Sequence, residues 1–394
     1  MSPTIDKLLS RGVAEILPSR EGLAKLMSER AIKLYQGFDP TGDKLHIGHA
    51  VALRKLRQFQ DLGHEVIFLV GDGTGQAGDP SGKKLAREKF FNREELRQNA
   101  KDYVMQAGKI VRFNGVNPVK ILYNGDWLNE LKLVDILTIA QHFTIQQLIE
   151  RDMYQERLKK GEDINLREFL YPLLQGYDSV AMEVDLELGG TDQTFNMLAG
   201  RKLVKAYLNK EKYVLSVPLL TDSKGVKIGK SEGNVIGLTD AAEDFFGKIM
   251  ALSDDSIIPC FELLTDMPLS ELAEMKHAIQ NSKNPLAYKK QLAHELTKQF
   301  NSEEDAKRAQ EQFEKNFQEK APSYTREVSV SVKANITNAV ATVVGSKSEA
   351  KRLIHQKAVD INAKTVDDPN LEVRSGDELK IGKRKFVTIK INEN

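Results

Sequence analysis

One cysteine, Cys260, stands in a chain of 394 residues. It can neither close an intrachain disulfide nor supply a zinc cluster, so the expectation is a reducing compartment and no structural zinc. A charge of one sign is missing too. Lys and Arg number 57 against 56 Asp and Glu, a formal net charge of +1, so no global basic field announces nucleic acid and any RNA-binding surface must be local. Long apolar runs are absent as well: the stretch from Met1 to Met27 is charged throughout and suits neither a signal peptide nor a membrane span. The reading is a cytoplasmic protein with no membrane partner. What the chain has is length, enough for two or three domains with sizeable cores.

The stretch that organises it runs from Tyr35 to His49. Ile32, Leu34 and Tyr35 read as a short strand, ended by the turn chemistry of Pro40, Thr41, Gly42 and Asp43. From Ile47, the apolar residues Ala52, Leu53, Leu56, Phe59 and Leu62 fall at helical spacing, and Gly63 is placed to cap the C-terminus. His46 and His49 then sit in the first helical turn, where free backbone N–H groups and the helix dipole attract anions. Gly48 between them removes side-chain bulk. Far downstream, Lys227-Ile228-Gly229-Lys230-Ser231 stands between Gly225 and Gly233, in a polar loop after the apolar run Tyr213 to Leu220. Two ammonium groups on such a loop suit a polyphosphate that must be gripped and then released. Together the two stretches resemble the paired signatures of class I aminoacyl-tRNA synthetases. The first matches in full; the second departs at Ile228 and Gly229 but keeps both lysines and the serine.

Val66 to Val70, Val119 to Tyr123 and Val184 to Leu188 read as further strands. With helices between them they predict an α/β fold, a Rossmann-like doubly wound parallel sheet with ligands at the carboxyl ends of its strands. Gly73-Thr74-Gly75-Gln76-Ala77-Gly78 satisfies a dinucleotide-binding fingerprint and supports a rival reading as a nicotinamide-dependent oxidoreductase. That fingerprint needs a helix opening within the glycines, however, and Asp79-Pro80-Ser81-Gly82 would interrupt it. A Walker-type loop fails too, since Ala77 replaces the first glycine and Lys84 the magnesium-binding hydroxyl. A glycine-rich turn presenting Asp79, Lys83 and Arg87 is left at the same sheet edge.

The runs Tyr35-x-Gly37-Phe38-Asp39-Pro40-Thr41, Gly78 to Lys83, Tyr171-Pro172-Leu173-Leu174-Gln175-Gly176-Tyr177-Asp178 and Gly189-Gly190-Thr191-Asp192-Gln193 together resemble the bacterial tyrosyl-tRNA synthetases, and the likeness spans the chain. The resemblance implies a ligase that joins L-tyrosine to tRNA(Tyr), using ATP with Mg²⁺, and that works as a homodimer. It implies that Tyr35 and Asp178 hold the phenolic hydroxyl, that Asp79, Tyr171 and Gln175 hold the ammonium group, and that Asp192 and Gln193 lie by the ribose and the reacting centre. Thr41, His46, Lys83, Arg87, Lys227 and Lys230 would stabilise the leaving pyrophosphate and His49 the ribose, with Gly37, Asp39, Gly48 and Ser231 completing the ATP site. Each residue alone has a plainer reading: a Tyr–Asp pair is often only a core hydrogen bond, and Asp192 suits a helix cap. Two neighbouring functions stay open, a tryptophanyl-tRNA synthetase, against which Tyr35 and Asp178 argue, and a non-catalytic RNA-binding paralogue, against which the retained lysines and histidines argue.

Around this catalytic domain, residues 1–238, the order is as follows. Ile5 to Leu26 suggests one or two amphipathic helices. Within a helical insertion over about 90–165, Leu131 to Ile149 is too apolar all round for a solitary surface helix, which predicts a buried or subunit-facing position. Glu150 to Asp163, charged with both signs, suits a solvated helix and loop. Residues 239–320 suggest an α-helical domain broken at Pro259, Pro268 and Pro285, by resemblance the anticodon-side domain. Glu319 to Thr325 reads as a linker. Residues 330–394 form a small α+β module: Ser346-Lys347-Ser348-Glu349 is a capping box, and short strands are expected at Val359 to Asn362 and Phe386 to Ile391. From Ser346 onward 11 Lys or Arg face 8 Asp or Glu, and the segment resembles the S-four-type RNA-binding module. Lys351, Arg352, Lys383, Arg384 and Lys385 are its candidate tRNA contacts.

Overall fold

The computed structural model describes every residue except 1–2, 43, 82–88, 223–224, 229–234, 282, 318–325, 332–333, 383–384 and 393–394. The expected linker, Glu319 to Thr325, lies outside the described residues. Two compact units emerge, one made of 1–240 with 252–292 and the other of 241–251 with 293–394.

The first unit is built on six strands: β1 (Glu15–Leu17), β2 (Lys33–Phe38), β3 (Glu65–Val70), β4 (Lys120–Tyr123), β5 (Leu186–Gly190) and β6 (Tyr213–Val217). They lie in the order β1-β6-β5-β2-β3-β4, all pairs parallel except β1 against β6. The chain goes from β2 outward through β3 and β4, then returns to place β5 on the other side of β2. That reversal opens a crevice at the carboxyl ends of β2 and β5, where an open α/β sheet binds its ligands.

The one or two helices expected over Ile5 to Leu26 are present as two, and the strand β1 between them is the unforeseen element. Helices Pro3–Leu8 and Arg20–Glu29 flank it. Pro18 disfavours a helix running through it, and the residues before it add to the open edge of β6. The helix after β2 runs over Ile47–Asp61 and buries Ile47, Ala50, Val51, Leu53, Leu56 and Phe59. Gly63 follows at φ +82°, a conformation that glycine adopts without strain.

The stretch from Leu131 to Ile149 forms two helices, Leu133–Ala140 and Ile145–Ile149, because Thr144 caps the second by accepting from the Gln147 N–H. Ile139 and Leu148 are buried in a cluster with Leu173, Val180, Leu203 and Val204. Leu133, 72 % exposed, and Val134, Leu137 and Ile145 instead face out. The charged stretch beyond does form a helix, Asp152–Lys159, but it is anchored: Tyr154 is fully buried and Arg157 pairs with the buried Glu168 at 2.6 Å.

Composition places a boundary near residue 239, whereas packing places it within the helical segment. Helix Ile257–Leu264 buries Cys260, Phe261 and Leu264 and packs on Ile47–Asp61, and the Arg11 guanidinium donates to the carbonyls of Thr265 and Met267 at 2.9 and 2.6 Å. Burial pushes the Cys260 thiol up to about 12, which keeps it protonated.

In the second unit, helix Ala242–Met250 packs on Glu303–Phe317, with Phe246 against Phe313 and Phe245 against Phe300. A five-stranded sheet follows: β7 (Arg326–Ser331), β8 (Val359–Ile361), β9 (Lys364–Thr365), β10 (Glu378–Ile381) and β11 (Lys385–Asn392), in the order β7-β11-β10-β8-β9. Helices Ile336–Val344 and Lys347–His355 share its core, which includes Val328, Ile336, Val340, Ile354, Leu379 and Val387. Ser346 caps the second helix by accepting from the Glu349 N–H.

Helices Leu166–Ala181 and Thr194–Leu208 cross at Gly176, where a Cβ would stand 3.1 Å from backbone atoms of Ala199 and Gly200 and 3.0 Å from a Leu203 methyl. Gly176→Ala should therefore destabilise the protein by about 1–2 kcal/mol in denaturant unfolding, with overpacking outweighing the helix propensity gained. An unchanged midpoint would show that the crossing has slack.

Candidate active site

The crevice is a cavity of about 620 Å³. Its walls bring together Tyr35, Gly37, Asp39, Thr41, His46, Gly48, His49, Asp79, Tyr171, Gln175, Asp178, Asp192, Gln193 and Lys227, residues spread over nearly two hundred positions. Lys83, Arg87, Lys230 and Ser231 lie outside the described residues.

At the mouth, His46 is the N-cap of the helix that follows β2. Its Nδ1 accepts from the Gly48 N–H at 3.1 Å, and His49 Nδ1 accepts from the His46 N–H at 3.1 Å, a reciprocal capping box made of two imidazoles. Their ring centres are 4.0 Å apart. A Cβ on Gly48 would stand 2.9 Å from the His46 ring, so glycine here is a steric condition of the arrangement. The segment after the second signature is tied to this helix start: the Ile47 N–H donates to Ile236 and the Leu238 N–H to Leu45, both at 3.0 Å. Lys227 reaches across the mouth to Asp192 at 3.0 Å, with both side chains part-exposed.

The floor is made of buried polar groups, each with its partner. Asp178 accepts from Asn124 Nδ2 at 3.0 Å and from Trp127 Nε1 at 2.8 Å. Burial holds its carboxyl well above the usual carboxylate range, and the two donors oppose that. The fully buried Tyr35 shares a hydrogen bond with Ser179 Oγ at 3.0 Å. Burial raises this phenol too, reinforced by Glu187 and Asp178, so the hydroxyl stays protonated.

A second group lies between floor and mouth. Asp79 accepts from the Ser81 backbone N–H and hydroxyl and from Gln193 Nε2 at 3.0 Å. The Tyr171 hydroxyl donates to Asp39 at 2.8 Å, and Thr74 donates to the other Asp39 oxygen at 2.7 Å. Asp39 is thus engaged with protein on both oxygens, and the Tyr171 oxygen keeps its lone pairs for an acceptor role. The glycine-rich turn is the scaffold of this corner. Its helix lasts only from Thr74 to Ala77 and ends at Gly78, φ +82°, while Asn124 Oδ1 accepts from the Gly73 N–H at 2.8 Å. A Cβ on Gly71 would overlap the Asp39 carboxylate.

Sequence reasoning missed Asn124, Trp127, Ser179, Glu187 and Lys212. Glu187 is buried on β5 and receives Lys212 Nζ, Gln175 Nε2 at 2.9 Å and Ser179 Oγ at 3.3 Å. A signal existed: a strand between two parallel neighbours is buried on both faces, so a glutamate there demands a partner. In the second unit Lys351 and Arg352 are exposed on helix Lys347–His355 and Lys385 opens β11. Arg352 is clamped to Glu349 at 2.6 Å. Lys383 and Arg384 lie outside the described residues.

Asp39 gives a pH signature. Burial raises its carboxyl to about 7 in the fold, against about 3.9 in an unfolded chain. The folded state therefore binds the proton more tightly; the stabilisation is fully present below about pH 4 and is lost as pH rises through 7. Relative to Asp39→Asn, the unmodified protein should lose about 1–3 kcal/mol between pH 4 and pH 7.5. Parallel stability curves for the two proteins would refute the shift.

The family description "tRNA synthetases class I (W and Y)" matches residues 27–318 and "S4 domain" matches 339–379. A tyrosine–tRNA ligase of Mannheimia succiniciproducens is 42% identical over 390 residues, covering 97% of both chains. One from Thermotoga maritima is 40% identical over 390 residues, 97% of this chain and 96% of its own. In fold, the chain resembles a C-terminally truncated mitochondrial tyrosyl-tRNA synthetase of Aspergillus nidulans, with TM-score 0.65, 22% identity, and 80% and 95% of the two chains covered. It also resembles the Archaeoglobus fulgidus tyrosyl-tRNA synthetase solved with L-tyrosine, with TM-score 0.61, 20% identity, and 78% and 98% covered. With a family match over most of its length and relatives above 40% identity over nearly all of it, the chain belongs to the tyrosine–tRNA ligases, within the class I tRNA synthetases.

Proposed function

We propose that this chain activates L-tyrosine with ATP and transfers it to the 3′ end of tRNA(Tyr). The observation that carries the reading is the polarity of one cavity: a floor where Asp178 is oriented by Asn124 and Trp127 beside Tyr35, and a mouth where His46, His49 and Lys227 meet. A phenolic hydroxyl can donate to Asp178 and accept from Tyr35. Asp79, the Tyr171 oxygen and the Gln175 carbonyl are acceptors for the ammonium group. An indole N–H is a donor only, so it could not accept from Tyr35 as a phenolic oxygen can. That disfavours tryptophan.

The tyrosine carboxylate attacks the α-phosphorus of ATP in line, and the bond to the bridging oxygen breaks, releasing pyrophosphate and leaving tyrosyl-adenylate. A terminal ribose hydroxyl of tRNA then attacks the acyl carbon and displaces AMP. No protein nucleophile takes part. Positioning and charge stabilisation do the catalysis. Thr41, His46, Lys83, Arg87, Lys227 and Lys230 would stabilise the departing pyrophosphate, and His49, Asp192 and Gln193 would hold the ribose and reacting centre. Gly37, Gly48 and Ser231 leave room and hydrogen bonds for the nucleotide. ATP would bring Mg²⁺ with it, whose charge would offset that of the triphosphate.

Exposed Leu133, Val134, Leu137 and Ile145 form the apolar face we assign to a homodimer contact. Among the described residues no helix is long and apolar enough to cross a membrane. An enzyme that charges tRNA would work beside the tRNA pool, in the cytoplasm. In the last module Lys351, Arg352, Lys383, Arg384 and Lys385 would meet tRNA phosphates.

Pyrophosphate exchange into ATP, run with each standard amino acid in turn, should respond to tyrosine alone; response to another amino acid and not to tyrosine overturns the assignment. A chain ending at Thr325 should keep that exchange and lose tRNA charging, with a shallower fall of tRNA affinity against salt. Undiminished charging by the shortened chain would remove the module from tRNA binding.

A further inference from the structure

At the wall of the cavity, which Glu187 lines, stands an ion pair to which no step of the proposed reaction is assigned. Lys212, preceding β6, is fully buried; its ammonium meets Glu187 Oε2 and donates to the Met197 carbonyl at 2.9 Å. A bare lysine there would be costly, and burial does pull its ammonium below the ordinary range while Glu187 opposes this. The surroundings are shaped to the pair. A Cβ on Gly200 would stand 2.6 Å from Lys212 Nζ, 2.7 Å from Ser179 Oγ and 3.1 Å from Glu187 Oε2, so a residue as small as alanine intrudes on all three.

The other Glu187 oxygen accepts from Gln175 Nε2 at 2.9 Å. A carboxylate accepts only, so it fixes which end of the Gln175 amide faces it. The amide nitrogen must point to Glu187, and the carbonyl oxygen must point away. That oxygen, Gln175 Oε1, is buried with no hydrogen-bond partner in the protein, and Gln175 lines the cavity. An orphaned buried acceptor is costly unless a ligand supplies the donor.

We propose that the Lys212–Glu187 pair is a positioning device for substrate: it locks Gln175 in the one amide orientation that offers a carbonyl oxygen to the ammonium group of the amino acid. Lys212 gives the buried Glu187 a partner of opposite charge, and Glu187 turns that contact into a direction for Gln175. With a neutral amide at 187, Gln175 can turn over and present N–H groups to an ammonium. No step of the proposed reaction is assigned to the pair, so its effect should fall on amino-acid binding and leave the chemical step alone. The proposal rests on the tyrosine reading of the cavity.

The test compares L-tyrosine with 3-(4-hydroxyphenyl)propionate, the same molecule without its ammonium group, on the full-length enzyme. The variants are Glu187→Gln/Lys212→Met, which removes both charges, and Glu187→Asp, which keeps a partner for Lys212 but shortens the reach to Gln175. Both should weaken tyrosine about tenfold while changing the analogue, the ATP KM and kcat by less than about twofold. Should the double variant fail to fold, Glu187→Asp carries the same comparison. Equal weakening of tyrosine and the analogue, or no weakening in a folded variant, overturns the proposal. Absence of tyrosine-dependent exchange in the unmodified enzyme overturns instead the reading on which it rests.

Discussion

The structure of the catalytic unit depends on one constraint, the need to keep carboxylates at the carboxyl edge of a sheet with little water to solvate them. Asp178 and Glu187 are fully buried and Asp39 and Asp79 half-buried. A buried ionised group is tolerated only when hydrogen bonds or an opposite charge replace its hydration. Each here has such a set: Asn124 and Trp127 for Asp178, Lys212 and Gln175 for Glu187, Thr74 and Tyr171 for Asp39, Ser81 and Gln193 for Asp79. Asp72 at the same edge repeats the pattern, fully buried and held by Arg93, Arg97 and the Gly125 N–H. The donors come from strands, helices and the glycine-rich turn alike, so satisfying the charges also fixes the relative placement of those elements. The site is polar and rigid for one and the same reason.

Much of this was legible in the chain, for a physical reason that differs by element. The helix Ile47–Asp61 announced itself through apolar spacing and a glycine past its end, and the two histidines could be placed on it because their role is local: they cap the turn in which they stand. That Tyr35 and Asp178 meet in one cavity could be expected only through resemblance, since they stand on different elements and nothing in their spacing joins them. What stayed hidden were the partners. Asn124 and Trp127 belong to a single helical turn, Gly125–Leu128 with Asn124 at its start, too short to show a period, and Lys212 looked like one more charge among 113 because its partner is a glutamate 25 positions earlier. Long-range pairing of buried charges leaves no period in a sequence.

The departures in secondary structure have the same origin. β1 is three residues long and exists because β6 has an open edge, which propensity cannot reveal. Leu131 to Ile149 reads as one apolar helix because composition does not show the turn that Thr144 caps, nor that half of its side chains face outward. In the last module the charge excess is small, and Arg352 is already clamped to Glu349. Its capacity for phosphate depends on which cations are presented together and much less on their number.

In the proposed function Asp178, held by Asn124 and Trp127, accepts a hydrogen bond from the substrate hydroxyl. The direct measurement is kcat/KM for tyrosine against phenylalanine in adenylate formation, for the unmodified enzyme and for Asp178→Asn. Exchanging the carboxyl for an amide of the same shape removes one acceptor oxygen and should lower the preference for tyrosine by at least about tenfold, chiefly by losing tyrosine, since a buried donor left unsatisfied costs about 1–3 kcal/mol. A preference that survives the substitution unchanged would mean that the hydroxyl is read elsewhere and that the buried carboxylate serves the fold alone.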